Sequence, residues 1–317
     1  MIAIRRRFQR FAPALSVVWA VALAPASNAQ IPSDPSDPAS AQISTDSPAS
    51  ANAKSPPDSP ASAIVQIPTG LPSAASVLTA AFANRYDVDA ISWVELVIRS
   101  GLVIGEGSAE ETRRTVHYVT KLIDERLHSI ARLTAPEYLR GMTILTIEQR
   151  SRGYDAFVFL PSLGKSRRVS AAQKDDAFFG SDLTYRDLER KRIDEFELGE
   201  VVVAERDGEV IYRIGADLAR KGKYARVEFD VAQSDHAILA ERYYKRFEEE
   251  PSRVVESVRS AMVEQEGHVL PTLLHVSDFR RGGTTVVRIK GLRVDASIPD
   301  RIFTVAALDQ ERKLPEP

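Results

Sequence analysis

Cysteine is absent from the 317 residues. Neither a disulfide nor a lipid-modified N-terminal cysteine can form, and thiol catalysis and cysteine-rich metal sites are excluded with them. Positive charge is in no excess either: the formal net charge is -2, and it grows more negative once Arg5, Arg6, Arg7 and Arg10 are set aside. That balance gives no general attraction for phosphate backbones, and no nucleic-acid partner is expected. The apolar run from Phe11 to Ala24, with Pro25 after it, is shorter than the roughly 20 residues a bilayer-spanning helix needs.

Several catalytic and metal-binding patterns are also missing. The five histidines (His117, His128, His236, His268, His275) contain no His-Glu-x-x-His and no short paired spacing. Asp175-Asp176 lacks the glycine and distal glutamate of a calcium loop. Gly105-Glu106-Gly107-Ser108 lacks the third glycine of a dinucleotide fingerprint. Neither a metal nor a cofactor is therefore expected. Ser162-Leu163-Gly164-Lys165 matches Ser-x-x-Lys, and Ser181-Asp182 is similar to a companion motif of serine acyl-enzymes. That chemistry wants the serine at the start of a buried helix, whereas Pro161 and Gly164 make a turn here, and no Lys-Thr-Gly exists. Without a nucleophile, base and orienting group in one pattern, the chain is not expected to be an enzyme.

What is present first is an address. A basic start, the apolar run and Ser27-Asn28-Ala29 have the three parts of a secretory signal, expected over 1-29 and cleaved after Ala29. With no cysteine to carry a lipid, the mature protein is expected to be soluble in the periplasm. Residues 30-75 hold half of the chain's 18 prolines among Ser, Ala and Asp, and Asp-Ser-Pro-Ala-Ser-Ala occurs at Asp46-Ala51 and Asp58-Ala63. Such a segment buries too little apolar surface to offset its conformational entropy and is expected to be a disordered linker.

The remainder, 76-317, reads as one mainly β domain. Tyr224-Val231 alternates Ala225, Val227, Phe229 and Val231 with Arg226, Glu228 and Asp230, the signature of a half-buried strand. Further strands are expected at Ser92-Arg99, Thr115-Ile123, Arg126-Leu133, Gly141-Glu148, Tyr154-Leu160, Phe196-Glu205, Glu209-Ile214, Ala237-Phe247, Arg253-Val263, His268-Val276 and Thr284-Val294. Arg152-Gly153, Asp207-Gly208, Lys221-Gly222 and Gly282-Gly283 mark turns between them. Helices are few: one around Leu78-Asn84, and one over Asp182-Lys191 with Asp182 as its N-cap. So many short strands predict an antiparallel sheet that curls, because wide flat sheets leave costly edges.

Two of these strands are apolar on both faces. Met142-Ile147 and Ala156-Leu160 place apolar side chains at both parities, so both faces must be covered. Either a concave face lined for a ligand or a well-filled barrel core satisfies that pattern. If a cavity exists, Trp93, Leu145, Ile147, Phe157, Phe159 and Val227 are the candidate lining residues. Lys165, Arg167 and Arg168 form a basic group able to meet lipid phosphates or an acidic partner, or simply a solvated strand face. Phe178, Phe179, Gly180, Ser181, Asp182 and Tyr185 read as a structural signature, with aromatic anchors and a glycine for an unusual backbone angle.

The order of Phe159-Leu160-Pro161, Arg167-Arg168-Val169 and Phe178-Phe179-Gly180-Ser181-Asp182-Leu183-Thr184-Tyr185-Arg186-Asp187-Leu188 resembles the periplasmic outer-membrane lipoprotein-sorting proteins, the LolA/LolB-like family. Pro136-Gly141 is similar to the family's entry into its central strand, and His268-Thr272 through Ile298-Leu308 to its closing part. The resemblance implies an incomplete, half-open antiparallel β-barrel with a few short helices on the concave face. It further implies a monomeric carrier that takes acyl chains of lipoproteins or lipids in an apolar cavity for outer-membrane sorting. Its partners would be an acylated protein or lipid cargo, an inner-membrane exporter and an outer-membrane acceptor. The other expectation is a non-carrier interaction module of the envelope with a self-filled barrel core.

Overall fold

The computed structural model describes residues 70-100, 110-151, 153-219, 222-294 and 297-317. The expected signal, most of the expected linker, the Gly105-Ser108 loop, Arg152 and Lys221 lie outside the described residues. Helix α1 (Ala74-Tyr86) precedes β1 (Ala90-Ser100), β2 (Glu110-Ile123), β3 (Arg126-Ala135), β4 (Thr143-Glu148), β5 (Tyr154-Leu160), β6 (Lys165-Arg168), β7 (Phe196-Arg206) and β8 (Glu209-Leu218). The chain continues through β9 (Arg226-Ala232), β10 (Ile238-Tyr244), β11 (Arg253-Ser257), β12 (Met262-Gln265), β13 (His268-Pro271), β14 (Leu273-Asp278) and β15 (Gly283-Val294) to helix α2 (Val305-Asp309).

Thirteen strands form one antiparallel sheet in the order β6-β5-β4-β3-β2-β1-β15-β14-β11-β10-β9-β8-β7, while β12 and β13 pair separately. The end strands β6 and β7 are not hydrogen-bonded to each other, so the sheet curls without closing, as the mainly β, half-open barrel expectation requires. Tight two-residue turns hold the register. Asp207 and Gly208 both take positive φ (53° and 82°), the geometry that matches the twist of a hairpin. Asp124 and Glu125 do the same between β2 and β3 at 49° and 62°, without a glycine to announce it.

Most expected strands are found within a few residues of their predicted ends, and the differences have local causes. Asp182-Lys191 is not a helix: only Tyr185-Leu188 makes a single 3-10 turn, capped by Thr184, because Asp182 is engaged with Thr285 on β15 instead. Arg253-Val263 divides into β11 and β12 around a 3-10 turn at Arg259-Ala261. His268-Val276 divides at Thr272, whose N-H reaches the Ala261 carbonyl (2.8 Å), so β13 leaves the large sheet to pair with β12. Helix α1 starts at Ala74, inside the range expected for the linker, with Ser73 accepting from the Ser76 N-H.

Both faces of β4 and β5 are indeed covered. On the inner face Ile144, Ala156 and Val158 join Leu96, Val116, Leu133 and Val287. On the outer face Leu145 and Phe159 join Ile91, Val119 and Ile130 beneath the C-terminal segment, which contributes Ile298, Ile302, Phe303, Leu308 and Leu314. At the other end of the sheet α1 lays Val77, Leu78, Ala81 and Phe82 against Ile214, Val227 and Phe229. The outer face there is ionic: Asp230 is fully buried between Arg213 (2.7 Å), Arg242 (2.7 Å) and Arg206 (3.3 Å).

Candidate functional site

Between the inner face and the segments that cross it lies a cavity of about 210 Å³. Its floor comes from alternate residues of successive strands: Val94 and Leu96 of β1, Val116 and Tyr118 of β2, Ala131 of β3, Val276 of β14, Val287 and Ile289 of β15. Even positions on β1 and β2 face it because side chains alternate along a strand. The cover consists of Tyr86 from α1 and Phe178, Leu183 and Leu188 from the segment before β7.

That covering segment is fixed by hydrogen bonds rather than by a helix. Phe179 and Gly180 turn through positive φ (51° and 81°), and the Phe178 N-H then reaches the Leu183 carbonyl at 2.7 Å. The Ser181 hydroxyl donates to the Phe178 carbonyl (2.6 Å) and accepts from the Leu183 N-H. The Asp182 N-H donates to Thr285 Oγ1 (3.0 Å), and the same hydroxyl donates to the Asp182 carboxyl (2.8 Å), tying the segment to β15. Burial pushes the Asp182 carboxyl above its ordinary pKa despite that bond. Tyr185 packs edge-on to Phe178, ring centroids 5.9 Å apart.

One wall of the cavity is polar and almost dry. Lys191 Nζ meets Glu241 Oε2 at 3.0 Å and donates to the Tyr86 hydroxyl at 2.9 Å, while Tyr243 donates to the same Glu241 carboxylate. Behind that wall, on the side of a neighbouring groove, Arg253, 2% exposed, reaches Asp187 at 2.8 Å and lies over the Tyr243 ring at 5.2 Å. Burial alone would lower the Lys191 pKa, but Glu241, Tyr243 and Tyr86 raise it well above the usual lysine range. Burial likewise opposes ionisation of Asp187 and Glu241, and the cations Arg253 and Lys191 overcome it and hold both carboxyls below the usual range. Both pairs are therefore charged at neutral pH. Beyond Thr184, Asp187 and Lys191 a wider groove of about 1100 Å³ opens, bordered by Arg168, Lys174, Arg186 and Lys223 among others.

None of the six positions expected to line a cavity borders this one. Leu145, Ile147, Phe157 and Phe159 have the opposite parity and pack with the C-terminal segment on the outer face. Trp93 also faces outward, its ring 4.3 Å from that of His117. Val227 is buried beneath α1. Periodicity established that both parities were covered, but not which of them turned inward. Of the basic group, Arg168 borders the groove and pairs with Asp155, while Lys165, Arg167 and Arg168 sit on the exposed edge strand β6. Ser162 and Lys165 of the Ser-x-x-Lys pattern are both exposed, in a turn and on that edge. The polar wall was missed. Its only trace in the sequence is Glu241 and Tyr243, on a strand otherwise buried along nearly its whole length.

A family model described as "Uncharacterized protein" matches residues 125-310. The chain belongs to that family. No curated protein matches it. Among solved structures it is similar to an outer membrane lipoprotein-sorting protein domain from Vibrio parahaemolyticus, at 15% identity and TM-score 0.66, over 74% of this chain and 97% of that one. A DUF1329 family protein from Desulfovibrio piger is 21% identical with TM-score 0.64, over 74% and 98% of the two chains. A LolA superfamily protein from Nitrosomonas europaea is 21% identical with TM-score 0.56, over the same shares. At these identities the likeness is one of fold: the domain has the LolA-like architecture that its motifs implied. Among the described residues, no helix is long and apolar enough to cross a membrane.

Proposed function

We propose that the protein is an exported, non-catalytic carrier that holds an acyl chain of a lipoprotein or lipid in the inner-face cavity during passage across the periplasm. The observation that carries this reading is the apolar floor, built from Leu96, Val116, Ala131, Val276 and Val287 and roofed by Phe178 and Leu183. An apolar cavity of about 150 Å³ holds a benzene ring, so the volume here suits part of an acyl chain, on the order of eight methylenes. Each buried methylene contributes about 0.8 kcal/mol, and that length gives roughly 6 kcal/mol. Such affinity holds a chain against water yet lets it go to an acceptor that binds it better. The fold it shares with a lipoprotein-sorting domain supports the same reading.

The test is native purification without detergent, organic extraction and mass spectrometry, followed by titration with a fluorescent fatty acid. Co-purified lipid or lipopeptide together with saturable probe binding supports the carrier. Absence of both overturns it in favour of an envelope interaction module whose core needs no cargo.

A further inference from the structure

Among the described residues the open sheet has two unpaired edges, and they are finished differently. The β6 edge is four residues long and carries exposed Lys165, Arg167 and Arg168, while the Ser166 N-H donates to the Asp309 carboxylate at 2.8 Å. Short length, basic side chains and a capped donor are the devices by which sheets refuse an added strand. The β7 edge is finished less completely: its one basic residue, Arg206, is already ion-paired, and its protection is a bulge before Val201 and the glutamates along it. It runs for eleven residues without proline or lysine, its backbone pairs with β8 on one side only, and a bulge between Leu198 and Val201 leaves Val201-Arg206 regular. At its centre Val202 and Val203 are 56% and 47% exposed, beside Val210 of β8 at 45%.

The charges on this edge indicate what fits it. Glu197, Glu200 and Glu205 are exposed and have no ion-pair partner among the described residues. The basic residue of the strand, Arg206, is already engaged by Asp230 and Glu256. On β1 and β2, by contrast, Glu95 and Glu111 share Arg113, with Lys290 and Arg99 alongside. A second copy pairing through the same edge would bring two sets of unmatched carboxylates together, which disfavours like strands side by side.

We propose that β7 is a docking edge for an extended segment of a partner protein in which apolar and basic residues alternate. Its backbone would add a fourteenth strand, its apolar side chains would cover Val203 on the face it shares with Val210, and its basic side chains would meet Glu197 on the opposite face. This goes beyond the carrier reading and does not require the cavity to be filled.

The probe is a fluorescein-labelled octapeptide of alternating Lys and Val, compared with the same octapeptide N-methylated at every peptide bond, which keeps the charge and the side chains but has no N-H to donate to β7. With the full chain, the Lys-Val peptide is expected to bind at least tenfold more tightly and to slow amide hydrogen exchange within 196-206. Replacing Glu197→Gln, Glu200→Gln and Glu205→Gln together, all on exposed positions, should weaken it about tenfold at low salt. Equal binding of the two peptides, or unchanged exchange in 196-206, overturns the proposal. So does a concentration-dependent dimer that protects 196-206 without peptide, which would assign the edge to a second copy.

Discussion

The inner and outer faces of β1-β5 are built from the same strands, yet one is filled and the other is not. On the outer face Leu145, Phe159 and Ile130 meet Ile302, Phe303 and Leu308 of the chain's own C-terminal segment. On the inner face Ile144, Leu96 and Val116 are equally buried, but their cover is an irregular segment held by hydrogen bonds and ion pairs, and space remains beneath it. A helix or turn that contributes closely spaced apolar side chains can fill the surface it meets. A segment whose side chains are partly spent on Asp182, Asp187 and Lys191 cannot. The difference separates a face filled by the chain's own side chains from a face with a cavity left over it.

That contrast can be broken most severely at the cover of each face. Phe303→Ala removes a buried ring from the outer cover and should cost about 3-5 kcal/mol, read as a lowered denaturation midpoint. Arg253→Met leaves the Asp187 carboxylate buried without its cation and should cost a similar amount, about 3-5 kcal/mol. The two should differ in consequence: the first leaves acyl binding per folded molecule unchanged, while the second loosens the cavity cover and weakens binding. A smaller and sharper pair is Leu145→Ala against Leu96→Ala. Each should cost about 2-5 kcal/mol, but only Leu96→Ala enlarges the cavity and shifts preference toward longer chains in a binding series.

The far end of the sheet supplies a control that touches neither cover. Burial opposes ionisation of Asp230, but Arg213 and Arg242 prevail and hold its pKa at about 2, below the ordinary 3.8. A depressed folded pKa means that this carboxylate adds stability above the unfolded value and loses it as pH falls through about 2. Unfolding measured between about pH 4 and pH 2 should show that loss in the wild type, and Asp230→Asn should remove this contribution to the pH dependence while lowering stability at neutral pH.

The sequence disclosed the frame better than the site. Strand positions were legible from alternation in segments such as Tyr224-Val231, and the covering of both faces from the double apolarity of Ala156-Leu160. The motif Phe178-Leu188 correctly pointed to a LolA-like fold, and Gly180 does take the positive φ expected of it. Parity was not legible: a strand apolar on both sides carries no mark of which side curls inward, and the candidate lining residues Leu145, Phe157 and Phe159 pack with the C-terminal segment on the outer face. Asp182 misled because an aspartate before an amphipathic run resembles an N-cap, whereas its partner Thr285 lies 103 residues away on β15. The Lys191-Glu241 and Arg253-Asp187 pairs were hidden for the same reason, since they join segments that only the fold brings together.

On the proposed carrier reading the inner face, and not the outer one, receives the acyl chain. Titration of a fluorescent fatty acid into the wild type, Ala131→Phe and Phe157→Leu tests it directly, with folding of each variant checked by its unfolding transition. Ala131→Phe fills the cavity and should abolish binding at a stability cost of about 1-3 kcal/mol, whereas Phe157→Leu on the outer face should bind as the wild type does. Undiminished binding by folded Ala131→Phe, or loss of binding in Phe157→Leu alone, would contradict the account.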